Sequence, residues 1–177
     1  MSNVLIGIIG VILFIGLAIA GALFLGPRFT DSKSTSTAAA TIQATSQIAY
    51  AYSYSNAERA VKAQAGDNPS ALTPGYLRSV PTNPAGSDVL KVVSATGSTT
   101  VGDGAMVVAR LSTAAAARTC GAIVRQTANG KDTVGADGYG VSATADDIPK
   151  GPAGCFQVGG TAIGDLGADQ FYAFTRI

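Results

Sequence analysis

Hydrophobic residues are concentrated in one run near the start of the chain, residues 4–25, which contains no charged side chain. As an α-helix this run rises about 33 Å, which is enough to cross a hydrocarbon core of about 30 Å. Its Leu, Ile, Val and Phe side chains each favour insertion by about 0.3–0.6 kcal/mol near the helix centre. The pattern therefore predicts a membrane-inserted helix.

The residues that flank this run bear on its topology. Met1, Ser2 and Asn3 carry no basic side chain, and the run is longer than the apolar core of a secretory signal, so a removable signal is disfavoured. Arg28 and Lys33 follow the run, and the positive-inside rule alone would place the C-terminal side in the cytoplasm. A basic leader removed from in front of Met1 would reverse that orientation.

Small residues recur at every fourth position of the predicted helix. Ala18, Ala22 and Gly26 form one stripe, and Gly16 and Ala20 form a second. Backbones of neighbouring helices can approach closely along such stripes. Ala and Gly are, however, also common in membrane helices that make no such contact. The stripes favour helix–helix contact in an apolar environment.

After Pro27 the apolar positions take the spacing of one helical face. That face would carry Ile42, Thr45, Ile48, Ala49, Tyr52 and Asn56. An alanine-rich stretch and the pair Glu58 and Lys62, four residues apart, also favour a helix. The sequence predicts that one long helix continues from the membrane segment to about Ala65.

Glycines and prolines divide the second half of the chain into short segments. The turn-rich stretch LTPGYLRSVPTNP, residues 72–84, is expected to bury Leu72, Tyr76, Leu77 and Val80. The β-branched runs in VLKVVSATG and GAMVVARLS predict adjacent antiparallel strands, and GCFQVGG and QFYAFTRI predict two later strands.

A second helix is predicted in TAAAARTCGAIVRQTANG, with Ser112 or Thr113 as its N-cap and Gly130 at its end. The order of elements predicts an α+β fold: a long N-terminal helical spine, apolar in its first half, packed on a small antiparallel sheet with a second helix. The predicted division is 1–26 as the membrane helix, 27–66 as its amphipathic continuation and 67–177 as a globular domain.

Composition limits the chemistry that this chain can perform. It has 12 Lys and Arg against 11 Asp and Glu, and it contains neither histidine nor tryptophan. Without histidine there is no Ser-His-Asp or Cys-His nucleophile system and no histidine metal site. No segment has the GxxxxGK form of a nucleotide-binding loop. We therefore expect no enzyme activity, no catalytic residue, no cofactor and no bound metal.

Two groups of charged residues have an alternative functional interpretation. A weak basic face for DNA would consist of Arg110, Arg118, Arg125 and Lys131, but the near-neutral net charge favours a solvated face. Calcium-binding loops would use Asp132, Asp137, Asp146 and Asp147, but their spacing does not match the twelve-residue loop. Solvated turns are the better interpretation of these aspartates.

Cys120 and Cys155 are the only cysteines, so one pairing exists. In an exported domain a disulfide between them would contribute about 4 kcal/mol in the chain-entropy model, whereas in a reducing compartment both would be free thiols. We expect an exported domain in which this bond pins the second helix to the C-terminal segment.

Together, these features resemble the b class of type IV pilins. They are a long apolar N-terminal helix that starts at a methionine, its helical continuation, the loop GYLRSVPTNP, and a late helix that carries the first of two cysteines. The similarity is architectural over the whole chain and tighter in residues 72–84 and 111–126. In that family an inner-membrane peptidase removes a short basic leader, and the assembly machinery then extracts the waiting subunit into a helical filament.

The resemblance implies a homo-oligomeric filament, held as subunits in the inner membrane before assembly and extracellular afterwards, that serves attachment, aggregation or conjugative contact. Residues 1–26 would form the filament core, with packing at Met1, Leu5, Gly16, Ala18, Ala20, Ala22 and Gly26. Tyr52 is expected to face the domain, and Tyr50 and Tyr54 to face neighbouring subunits. No specific nucleic-acid partner is expected.

One position departs from the family pattern. Such pilins usually carry a glutamate near the mature N-terminus, and the matching residue here is Leu5, with no acidic residue before Asp31. Either helix packing alone aligns the subunits, or the chain is a tip-located minor subunit, or its mature terminus differs. The alternative from another class is a bitopic, membrane-anchored periplasmic binding or scaffolding protein.

The end of the apolar run predicts a joint in the assembled filament. Pro27 has no N–H to donate to the carbonyl of Leu23, and it disfavours α geometry at Gly26. We expect the helix to be extended or non-helical somewhere between Gly21 and Phe29 in the filament, which would make the fibre extensible.

Overall fold

The computed structural model describes residues 2–59, 66–94, 104–112, 114–127, 140–142 and 148–177. The chain divides into two compact units, of which the first ends at Lys33 and the second is Ser34–Ile177. The helices are α1 (Ser2–Arg59) and α2 (Ala116–Thr127), and a 3-10 turn lies at Pro69–Leu72. The strands are β1 (Lys91–Val93), β2 (Met106–Leu111), β3 (Gly140–Ser142), β4 (Ala153–Val158) and β5 (Phe171–Arg176).

Within the described residues, the second unit is built on one five-stranded sheet with the order β1-β2-β5-β4-β3. The pairs β1–β2, β2–β5 and β5–β4 are antiparallel, which confirms the predicted antiparallel sheet. The short strand β3 lies parallel to β4 at one edge, and the sequence analysis did not predict it. The fold is α+β, with a long N-terminal helix, a second helix and this sheet.

Successive residues of the central strands face two different cores, as the pleat of a strand requires. On β2, Val107 belongs to the core beneath the helices, which also contains Ile48 of α1. The next residue, Val108, belongs to a second core on the opposite face, with Phe156 and Leu166. Because both faces are covered, β2 has the almost continuous apolar sequence MVVARL instead of a strict alternation.

The C-terminal part of α1 packs against the sheet through small and polar residues as well as Ile48. Thr45 Oγ1 lies 2.8 Å from Thr175 Oγ1 of β5, so a hydroxyl–hydroxyl hydrogen bond joins the helix to a central strand. Tyr52 is buried on the same side, which confirms its predicted orientation. From the loop after α1, Leu72 is buried and Tyr76 packs against the same core, as predicted.

The second helix begins later than its predicted cap. Thr119 N–H donates to the carbonyl of Ala115 at 2.9 Å, so the first closed turn starts there and α2 begins at Ala116. Ser112 therefore lies too far upstream to cap it, and Thr113 and Gly130 lie outside the described residues. The predicted end of the first helix near Ala65 also lies outside them.

The backbone of α1 is helical through Gly21, Gly26, Pro27 and Phe29 in the single chain. The joint was predicted for the assembled filament, where neighbouring helices surround this stretch. It therefore stays a prediction about that state.

Candidate functional site

The most unusual surface of the first unit is the apolar part of α1. Every residue from 6 to 23 except the half-buried Gly21 is exposed, and Phe14, Leu17 and Leu23 each expose more than 70% of their surface. Such side chains each gain about 1.5–3 kcal/mol on burial, so water is an unfavourable environment for this segment. Within the described residues this helix is the one long and apolar enough to cross a membrane.

In the single chain the small residues of this segment are exposed on the helix surface. Gly16, Ala18, Ala20 and Ala22 are exposed, and a Cβ placed on Gly16 or Gly21 would meet nothing within 4 Å. Their stripes are therefore available to another helix. Met1 lies outside the described residues, and for Leu5, Gly26 and Pro27 the structure describes the backbone alone.

The two cysteines form a disulfide inside the second unit. Cys120 of α2 and Cys155 of β4 are both buried, their Cα atoms lie 5.3 Å apart, and the bond closes a separation of 35 residues. This is the pairing that the sequence analysis predicts for an exported domain. It fastens α2 to the sheet through the core that also receives α1.

A tyrosine-rich surface lies on the outer side of α1 in the second unit. Tyr50 and Tyr54 expose 76% and 64% of their surface, whereas Tyr52 between them is buried. The rings of Tyr54 and Tyr76 form an edge-to-face pair with centroids 6.0 Å apart, and the Tyr76 hydroxyl donates to Glu58 Oε2 at 2.5 Å. We call Tyr50, Tyr54, Tyr76 and Glu58 the tyrosine face.

Three of the four candidate basic residues lie in the described part of the chain, on two different elements. Arg110 lies on β2, where its Nε donates to Asp88 Oδ2 at 2.6 Å. Arg118 and Arg125 are exposed on α2, and Lys131 lies outside the described residues. A further arginine, Arg176, serves the fold: its guanidinium donates to the carbonyls of Pro149 and Gly151, and burial lowers its pKa.

Acidic and cysteine side chains form no metal-binding group of three or more in the part of the chain that the structure describes. The aspartates considered for calcium loops, Asp132, Asp137, Asp146 and Asp147, lie outside that part. Among the described residues there is therefore no candidate ligand set for a metal ion.

The sequence analysis missed two openings beside the edge strand β1. They have volumes of about 340 and about 350 Å³ and share Val89, Lys91, Val93 and Asp165 in their linings. We call them the β1 cavities. No sequence pattern indicated them, because they depend on segments that are distant along the chain and meet only in the fold.

Comparisons of the chain with protein-family models, with curated proteins and with solved structures gave no match. What the structure itself defines is a class of architecture. It has a long N-terminal helix with an apolar first part, a small antiparallel sheet and a second helix tied to that sheet by a disulfide, and this arrangement is compatible with a pilin fold.

Proposed function

We propose that this chain is the structural subunit of a filament of the type IV pilus kind, closest in plan to the b class. The subunit would be inserted in the inner membrane and processed there by a prepilin peptidase. A pilus-assembly machinery would then polymerise it. The filament would act at the cell surface in attachment, aggregation or conjugative contact.

The observation that carries this proposal is the exposure of α1 on all sides over residues 6–23. A soluble domain rarely leaves a contiguous apolar surface of this size in water, so it needs an apolar cover. Lipid can supply that cover before assembly, and the same helices of neighbouring copies can supply it afterwards. The small-residue stripes suit the second state, since they permit close approach of helix backbones.

Leu5 is compatible with a filament in which helix packing alone aligns neighbouring subunits. A carboxylate within an apolar bundle requires a partner, whereas a leucine requires none. Assembly would then depend on many shallow contacts along the first unit. A second form of the proposal is a minor subunit at the filament tip, where the chain would have fewer neighbouring copies.

Electron microscopy of sheared surface material from producing cells tests the proposal. Antibody against the second unit should decorate fibres along their length. The matched control replaces residues 1–30 with a cleavable signal, which should release a disulfide-bonded domain without fibres. Recovery of the full chain only as a membrane monomer would contradict the proposal and favour a bitopic binding or scaffolding protein.

A further inference from the structure

The part of α1 that belongs to the second unit packs on the sheet mainly through small side chains. Ala38, Ala44 and Ala49 are buried there, and the large side chains that α1 buries among the described residues are Ile48 and Tyr52. A helix surface made of small residues has low ridges, so few side chains interlock with the sheet to fix how far along its axis the helix lies.

A pair of hydroxyl groups is one contact that does fix this position. Thr45 Oγ1 lies 3.1 Å from the carbonyl of Thr41 and 3.0 Å from that of Ile42. It also lies 2.8 Å from Thr175 Oγ1 of β5. A hydroxyl carries one hydrogen, so Thr45 can donate it to a helix carbonyl and accept the hydrogen of Thr175. The helix is thereby joined to a central strand at one side chain.

Thr41 presents the same group one helical turn earlier. It is fully buried, and its hydroxyl donates to the carbonyl of Thr37 at 2.8 Å, which leaves its oxygen able to accept a further hydrogen bond. Thr41 and Thr45 lie on the same side of α1, about 6 Å apart along its axis. A shift of α1 by one turn would therefore bring Thr41 opposite Thr175 and form the same hydroxyl pair.

Other contacts favour the observed position over the shifted one. After the shift, each residue of α1 would occupy the place of the residue four positions later. Ala44 would leave a cavity where Ile48 now packs, and Thr45 would enter a space that an alanine now fills. Glu58 would also move away from the Tyr76 hydroxyl, which now donates to it. The shifted position is therefore the less populated of the two.

Two features limit the cost of the shift. The Tyr52 hydroxyl, which is buried without a hydrogen-bond partner among the described residues, would move to the half-buried place of Asn56, where water can reach it. Gln126 Nε2 donates to the backbone carbonyl of Thr35 at 3.3 Å, and the carbonyl of Asp31 would replace that acceptor. Neither feature ties α1 to one position.

We propose that α1 has two registers on the sheet, one helical turn apart. The Thr175 hydroxyl binds Thr45 in the major register and Thr41 in the minor one. Displacement of one packed element past another by one helical turn is an established kind of conformational switch. In a filament of the proposed kind, it would let the sheet of a subunit move by about 6 Å along its own helix without unfolding.

Cysteine trapping in the full chain, in detergent, tests the two registers without fibres. Thr45→Cys combined with Thr175→Cys should crosslink readily, because these side chains meet in the major register. Thr41→Cys combined with Thr175→Cys places the first thiol about one turn away, beyond the reach of a disulfide until the helix shifts. A minor register populated at about 0.1–10% should make this second crosslink form about 10–1,000-fold more slowly, yet to completion.

The control pair is Ala38→Cys with Thr175→Cys, which neither register brings together and which should stay reduced. All three pairs lack the Thr175 hydroxyl, so they are compared on equal terms. Mass spectrometry of non-reduced peptides identifies each bond and checks that Cys120 remains paired with Cys155.

A mild substitution supplies a second measurement. Tyr76→Phe removes a hydrogen bond that the major register alone makes, so it should speed the 41–175 crosslink by about two- to tenfold and leave the 45–175 crosslink unchanged. No 41–175 crosslink after a thousand times the period that 45–175 requires would overturn the inference. Equal crosslinking of 38–175 would also overturn it, since it would show general loosening of α1, and so would a 41–175 rate that does not respond to Tyr76→Phe. Absence of fibres from cells would count against the proposed function alone, because these crosslinks are made in the single chain.

Discussion

Ile19 and Ile48 lie on the same helix, yet their surroundings are opposite. Ile19, in the first unit, exposes 56% of its surface, whereas Ile48, in the second, is fully buried. Both residues are equally apolar, so hydrophobicity alone does not decide which part of α1 belongs to a folded core. The difference arises from neighbours: the second unit supplies a sheet and α2 around Ile48. Under the proposed function, lipid or other copies would supply the cover of the first unit.

The largest expected effect comes from a charge placed in the first unit. Leu13→Lys puts an ammonium in the middle of the apolar segment, where the cost is about 2.5–3.5 kcal/mol per copy by insertion scales. In a filament every copy carries that cost, so we expect no fibres in the sheared fraction. The matched control is Gln43→Lys, at an exposed site of α1 in the second unit, which should assemble as the parent does. Normal fibre yield for Leu13→Lys would contradict a buried filament core.

Within the second unit the disulfide should have the next largest effect. Replacing both Cys120 and Cys155 with alanine should lower the free energy of unfolding by about 4 kcal/mol, since the bond closes 35 residues of chain. Urea unfolding of the full chain in detergent, followed by tyrosine near-ultraviolet circular dichroism, measures it. Reduction of the parent should reproduce most of the loss. A change below about 1 kcal/mol would mean that the helix and sheet hold together without the bond.

The isoleucine pair gives the most direct test of the comparison. Ile48→Ala leaves a cavity in the core beneath the helices and should lower the free energy of unfolding of the second unit by about 2–5 kcal/mol. Ile19→Ala makes the same chemical change at a side chain that is 56% exposed and lies outside the second unit, so the unfolding of the second unit should not change. Ile19→Ala should instead lower the fibre yield. Equal losses of stability for the two variants would contradict the division into a folded core and an exposed segment.

Features that depend on neighbouring residues in the chain could be predicted from the sequence. The apolar run and the strands follow from continuous apolar or β-branched stretches, and the inward orientation of Tyr52 follows from a spacing of three and four residues. Features that depend on distant residues could not. Asn83 Nδ2 donates to the carbonyl of Arg110 at 2.8 Å and so pins the proline-rich loop to β2, across 27 residues of chain. The parallel pairing of β3 with β4 and the position of Lys91 in the β1 cavities have the same origin.

The smallest expected effect concerns Tyr52, the buried tyrosine between two exposed ones. Burial, with a smaller contribution from the Asp67 carboxylate, raises the pKa of Tyr52 from 10.0 to about 12. Between those values the unfolded chain releases the phenolic proton and the folded chain keeps it, so the stabilising effect is complete below about pH 10 and is lost as the pH rises towards 12. Tyr52→Phe should remove the decline in the free energy of unfolding between pH 10 and pH 12 that comes from this group. Tyr50→Phe, at an exposed site, should leave that decline unchanged.

At neutral pH the Tyr52 hydroxyl has no hydrogen-bond partner among the described residues. Its removal should therefore leave the free energy of unfolding unchanged or raise it slightly. Urea unfolding of the three proteins from pH 7 to 12 measures both effects. A loss of more than about 1 kcal/mol in Tyr52→Phe at pH 7 would contradict an unpartnered hydroxyl and reveal a hydrogen bond that the folded chain needs.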